Sequence, residues 1–188
     1  VGFAREDVTP LDSVNISGGD SKNRMSQGYR DPINVTCVAL CNGGDTYLIY
    51  TLDFITASSD YTVPAEELIT EATGVPAERI IMNCTHPHSG PAIAYDYETI
   101  LPYRDKFNKG AVKAAEKAIA DMSPAELYAG AVETEGLVFV RHYEMDNGTF
   151  AGANYGSFSG SIKGHAYEGD KEVQVIKFAR AAENKKDI

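Results

Sequence analysis

A mixed α/β sheet with helices packed on it is the fold this sequence predicts, and three observations carry that reading. Ile33 to Leu52 forms two apolar, strand-like runs joined by Asn42-Gly43-Gly44-Asp45, the clearest hairpin signal in the chain. A later stretch, Phe107 to Met122, repeats apolar residues at helical spacing. Beyond the hairpin, strand-like and helix-like segments alternate, with strands outnumbering helices.

Taken in order, Val1 to Thr9 mixes apolar and charged residues as a strand does, and Pro10 closes it. Residues 11–32, rich in Gly, Ser, Asp and Asn, read as a long loop; in a compact domain a loop of this length is expected to line a site. Ile33, Val35, Cys37, Ala39 and Cys41 alternate onto one face of the next strand. Thr46 to Leu52 returns after the turn, and Asp53 ends that strand with a carboxylate. A helix is predicted over about 62–73, with Pro64 in its first turn, Glu66 and Glu67 near its positive end and Gly74 as its stop.

Arg79-Ile80-Ile81-Met82 reads as a buried strand running into Asn83-Cys84-Thr85-His86-Pro87-His88-Ser89-Gly90-Pro91. A longer helix is predicted from about Glu98 to Met122. Its narrow Ala-rich face (Phe107, Ala111, Ala114, Ala115, Ala118) suits close packing on a sheet. Leu127 to Thr134 reads as another strand. The span 136–168 offers only short strand-like pieces such as Val138-Phe139-Val140. Glu172 to Phe178 is the last strand, followed by a polar tail.

At 188 residues the chain can build one sizeable core, so one domain, or two small ones, is expected. Its net charge of −10 comes with scattered Lys and Arg, which argues against a nucleic-acid partner and makes an anionic membrane repel the chain on average. Cys37, Cys41 and Cys84 are an odd, sparse set that excludes a disulfide scaffold. Cys37 and Cys41 lie too far apart along one strand to bridge, and buried free thiols are expected. No apolar run is long enough to span a bilayer, and no signal peptide is visible. The chain opens at Val1 in strand-like sequence, so a trimmed N-terminus is expected.

The His86-Pro87-His88 stretch is where chemistry is expected. Alternate residues of an extended strand share a face, so the two imidazoles should project together from a strand's carboxyl end. Neutral imidazole is the commonest zinc ligand, and strand ends are where α/β folds place their sites. The plain alternative is two polar residues opening an exposed loop. The chain has only four histidines, and placing two of them at one strand-to-loop junction favours a site. Cys84, inside the strand, reads as a core residue rather than a ligand. Asp53 reads either as an acceptor orienting a ligating histidine or as a cap on the following turn. Tyr95-Asp96-Tyr97 reads either as the wall of a groove or as packing. His142 and His165 read as surface residues.

Six segments then align with one known family. They are Val1-Gly2-Phe3-Ala4-Arg5-Glu6-Asp7-Val8-Thr9, Gly28-Tyr29-Arg30-Asp31-Pro32, Thr51-Leu52-Asp53, Thr85-His86-Pro87-His88-Ser89-Gly90-Pro91, Val140-Arg141-His142-Tyr143 and the stretch Gly169 to Phe178. Together they resemble the N-terminal part of the neutral/alkaline ceramidase family, zinc-dependent amidases that cleave N-acylsphingosine. Its most specific motif is Thr-His-Thr-His-Ser-Gly-Pro. The resemblance implies that residues 1–188 are the N-terminal portion of a larger layered catalytic domain whose remainder is not in this chain. It implies zinc as cofactor, His86 as a metal ligand, His88 lining the site beside the metal, and Arg141 touching substrate. Pro87 replaces the family's middle threonine and Val140 the asparagine before the arginine, departures that leave the substrate open.

The family's other ligands, a second histidine, a glutamate and a tyrosine, would follow beyond residue 188, leaving half an active site here. The implied partners are an N-acyl amide or lipid substrate, and the missing C-terminal part or a second copy at the edge beyond Phe178. The implied setting is secreted, periplasmic or cell-surface. No long exposed apolar loop stands out for the two chains of a ceramide. Two other classes remain: a barrel-type metallohydrolase, which needs eight regular strand–helix repeats, and a binding module that has lost its metal.

Overall fold

A computed structural model of the chain describes residues 1–19, 24–152, 160–182 and 184–188, and it divides into two units, Val1–Glu126 with Ala179–Ile188, and Leu127–Phe178. The first unit holds a four-stranded sheet in sequence order: β1 (Gly2–Asp7), β2 (Asn34–Asn42), β3 (Asp45–Leu52) and β4 (Ile80–Cys84). β1–β2 and β2–β3 are antiparallel, while β3–β4 is parallel, so the sheet is mixed as expected. It is also open, which is not the closed ring of parallel strands that a barrel-type hydrolase requires. The hairpin closes with Asn42 paired to Asp45. Gly43 and Gly44 sit between them at φ 63° and 92°, the two positive values a two-residue primed turn demands.

A helix, α1 (Ser59–Thr73), and a short 3₁₀ turn (Ala77–Arg79) make the crossover between β3 and β4. α1 begins earlier than the sequence suggested because Ser58 caps it, its side chain accepting from the Asp60 N–H. Pro64 therefore lies inside the helix rather than in its first turn. Gly74 ends the helix as expected, at φ 73°. α2 (Leu101–Ala120) packs on β1, β2 and α1. It starts after Thr99, whose hydroxyl is engaged by Asn15, donating to Oδ1 at 2.7 Å and accepting from the Asn15 N–H at 3.2 Å. That contact holds Glu98 and Thr99 in a turn instead of the helix.

The core lies between the helices and one face of the sheet. Val35, Cys37 and Ala39 from β2, and Leu48, Tyr50 and Leu52 from β3, are fully buried there, against the alanine face of α2. Cys41 is exposed, not buried, because it lies where the hairpin runs out past the helices. Burial pushes the Cys37 thiol up to about 12, so it stays an inert core thiol. Tyr50 ties the layers together, its buried hydroxyl donating to the Ala111 carbonyl at 2.8 Å. Phe54, Tyr61, Tyr103 and Phe107 form an edge-to-face cluster, with Phe54 touching the other three at ring centroids 5.4–6.3 Å apart.

The C-terminal segment is pinned to the first unit by Asp121. That carboxylate accepts from the Phe3 N–H at 3.0 Å and pairs with Arg180 and Lys185. Burial would raise its pKa, but the bonds from Lys185, Phe3 and Arg180 outweigh it and hold the group at about 2.

Among the described residues no helix packs on the sheet's other face. Across it the ladder aligns Phe3, Val38, Ile49 and Ile81 in one apolar row, and Ile81 is 52% exposed.

The second unit contains most of a two-stranded ribbon, β5 (Ala125–Glu133) with β9 (Glu172–Arg180), and a three-stranded antiparallel sheet in the order β7-β6-β8. The three strands are β6 (His142–Met145), β7 (Phe150–Gly152) and β8 (Ile162–His165). Val138-Phe139-Val140, expected to be strand-like, is not a strand. The strand nearest to it begins at His142, where Tyr143 finds a partner in Ala151 on one side and His165 on the other. Among the described residues no helix is long and apolar enough to cross a membrane.

Candidate functional site

β3 and β4 run parallel, and the chain beyond their carboxyl ends stays together. The Thr85 N–H donates to the Leu52 carbonyl at 3.0 Å and the His86 N–H to the Phe54 carbonyl at 3.1 Å. His86 then leaves the extended conformation, at φ 62° the one described non-glycine residue in the left-handed region. The two imidazoles do not meet because alternate residues of a strand share a face, as the sequence suggested. They meet because the backbone turns at His86. His86 Nε2 and His88 Nε2 lie 3.2 Å apart, with both side chains exposed.

The His86 ring is locked from behind, its Nδ1 lying 2.5 Å from the Ile55 carbonyl oxygen. A carbonyl can only accept, so the ring proton is assigned to Nδ1, which leaves Nε2 with a free lone pair. This is the usual arrangement behind a ligating histidine. Asp53, expected as a possible orienting group, does something else. Its Oδ1 accepts from the Thr85 hydroxyl at 3.1 Å and its Oδ2 from the Asn34 N–H at 3.0 Å. It secures the residue before His86 to the start of β2, while a backbone carbonyl orients the ring. Nothing in the sequence marks Ile55 for that role, because any residue supplies a carbonyl.

The pair can be tested against zinc. Two nitrogens at about 2.0–2.1 Å from a tetrahedral zinc lie roughly 3.3–3.4 Å from each other. The observed 3.2 Å fits two adjacent corners of such a site. In the absence of metal, one proton shared between the two Nε2 atoms satisfies the same geometry. Among the described residues no third histidine, cysteine or carboxylate joins the pair. Cys84, half-buried, faces the core instead, its sulfur 3.5 Å from the Tyr61 hydroxyl.

The long loop lines the space beside the motif, as its length suggested. Two adjoining cavities of about 350 and 470 Å³ share Ile16, Ser26, Gln27, Gly28, Ile33 and Ser89. The larger also reaches Arg30, Asp53, Thr85 and Pro87. The Tyr95 and Tyr97 rings lie 5.9 Å apart, tilted 38° to each other, and Asp96 pairs with Arg104.

Arg141 belongs to the second unit, exposed on the residue before β6. His142, half-buried there, shares a hydrogen bond with the Tyr167 hydroxyl at 3.3 Å. His165 is exposed, with Nδ1 2.8 Å from the Val140 carbonyl and its ring beside Phe139 and Tyr143.

No family model matches this chain, and no curated protein matches it. Solved structures do. A neutral ceramidase from Pseudomonas aeruginosa superposes with a TM-score of 0.70 at 17% identity, over 96% of this chain and 29% of that one. The chain has the fold of one part of a neutral ceramidase. A ceramidase complexed with C2 gives a TM-score of 0.63 at 19% identity, over 74% of this chain and 24% of that one. The chain thus spans less than a third of the length of either ceramidase. At these identities the ceramidase likeness is one of architecture, and the chemistry rests on the residues of the site.

Proposed function

We propose that this chain carries the His-x-His part of a zinc-dependent hydrolase of N-acyl amides, of the ceramidase type. The observation that carries the reading is the pair of Nε2 atoms 3.2 Å apart at the end of β4, one ring locked by the Ile55 carbonyl. His86 and His88 would hold the metal, and ligands from outside these residues would complete it. Bound zinc would polarise the amide carbonyl and acidify a water. The chain's own contribution is to hold two imidazoles at ligating distance before any metal arrives, while their chain neighbours Thr85, Pro87 and Ser89 line a cleft of about 470 Å³. Arg141 is proposed to touch the substrate, on the resemblance alone.

The test is zinc content of the intact protein together with turnover on a panel of N-acyl amides that includes ceramide. Stoichiometric zinc with amide hydrolysis is expected. Zinc with turnover of other bonds only would favour a different metallohydrolase, and a metal-free, inactive protein would favour a binding module.

The exposed apolar surfaces point to a partner. The β5–β9 ribbon exposes Leu127, Tyr128 and Val132 on one strand and Val173, Val175 and Ile176 on the other. Neighbours in a strand face opposite ways, so both faces of the ribbon are apolar. A two-stranded ribbon is marginal in water without cover. In the Phe3–Val38–Ile49–Ile81 row Ile81 is exposed in the same manner, beside three half-buried neighbours. In this reading both are covered by further polypeptide, either more of the same protein or a second copy. Light scattering on the isolated 188-residue chain should find dimers or larger species. A stable monomer that binds no complementary fragment would count against the half-site reading.

A further inference from the structure

The two histidines are held by two different segments of the chain. His86 is fixed by Phe54 and Ile55, just after β3. His88 is fixed by the long loop. Within that loop the Ile16 N–H donates to the Arg24 carbonyl at 2.9 Å and the Ser26 N–H to the Val14 carbonyl at 2.8 Å. The same strip bonds on its other side to the residues after the motif, with Ser17 N–H to the Gly90 carbonyl and Ala92 N–H to the Asn15 carbonyl, both 2.8 Å. Arg24 reaches across this small ladder. Its Nη2 donates to the Ser17 carbonyl at 2.9 Å and to the His88 carbonyl at 2.6 Å. Gly18, at φ 84°, lies against the same residue: a Cβ built on it would stand 2.3 Å from His88 Cβ.

We propose that Arg24 and Gly18 are positioning residues that set where the His88 ring lies relative to His86. The guanidinium pulls the His88 carbonyl toward the loop through a charge-assisted bond, and Gly18 lets the two backbones approach. Neither residue touches the imidazole nitrogens. Their effect on metal affinity rests on the metal-binding reading given above, whereas their effect on ring geometry does not.

The experiment therefore has two readouts on Arg24→Ala, Arg24→Lys and Gly18→Ala. The first is the NOE between the His86 and His88 rings in metal-free protein. The second is cobalt(II) titration of the intact protein. Arg24→Ala should abolish the ring-to-ring NOE and weaken cobalt binding by roughly 10- to 100-fold, the usual cost of losing an outer support. The methyl spectrum of the core should be unchanged. Arg24→Lys should restore much of the NOE, since an ammonium can still reach the carbonyl. Gly18→Ala should lose it with no change of charge.

An intact NOE in Arg24→Ala or in Gly18→Ala overturns the proposal. So does loss of the NOE only through global unfolding, in which case the residues are merely structural. A wild-type protein that binds no cobalt, but loses the NOE in both variants, would sink the metal reading and leave the positioning role standing.

Discussion

Replacing Phe54 by alanine should cost about 3–5 kcal/mol and lower Tm by about 10 °C. The ring is fully buried and is the one member of the aromatic cluster that touches Tyr61, Tyr103 and Phe107 together. Truncation opens a cavity bounded by three large rings that cannot close in without leaving their rotamers. The loss should spread to the site, because the Phe54 carbonyl accepts the His86 N–H and the next carbonyl, of Ile55, holds the ring. Phe54→Leu, which keeps most of the volume, should lose less than half as much stability and leave the His86 ring in place. Denaturant titration with the ring NOE as a second probe tests both statements. A Phe54→Ala protein of wild-type stability would mean that the helices are not held on the sheet by this cluster.

Some of this was legible in the sequence, for reasons specific to each element. Asn42-Gly43-Gly44-Asp45 declared its hairpin because only residues tolerant of positive φ fit the two turn positions. The alanine stripe declared the buried face of α2 because helical periodicity and close packing both act through side chains. The site was legible only as a location. His86 and His88 were marked by their own chemistry, but the reason they converge, a left-handed residue at His86, has no signature in a non-glycine side chain. The groups that hold them are backbone carbonyls of Phe54, Ile55 and His88, and carbonyls are the same at every residue. Arg24 and Gly18 were invisible for a different reason: they act on His88 from more than sixty residues away, through a loop whose path no local pattern specifies. In the second unit the Gly-rich composition of 136–168 hid the strands at His142–Met145 and Ile162–His165, which exist through pairing with each other rather than through intrinsic preference.

Substituting His86 by alanine should remove most of the zinc and reduce turnover of the intact protein by at least about 100-fold, while leaving it folded. The expected split between chemistry and stability follows from where the residue sits. Its side chain is exposed and fills no part of the core, so alanine opens no cavity. The Nδ1 contact to the Ile55 carbonyl is lost, at about 1 kcal/mol, and water can satisfy the carbonyl at this open position. The backbone at φ 62° is no worse for alanine than for histidine in steric terms. Asparagine tolerates the left-handed region better, and its amide can take up the Ile55 bond, so His86→Asn should recover the small stability loss. It should not recover metal or activity, because its amide is a poor zinc ligand. That contrast assigns the defect to coordination rather than to folding. Zinc content measured beside thermal unfolding on both variants decides it, and wild-type zinc and turnover in His86→Ala would show that the imidazole pair at the end of β4 is a surface feature of the loop and not the centre of a site.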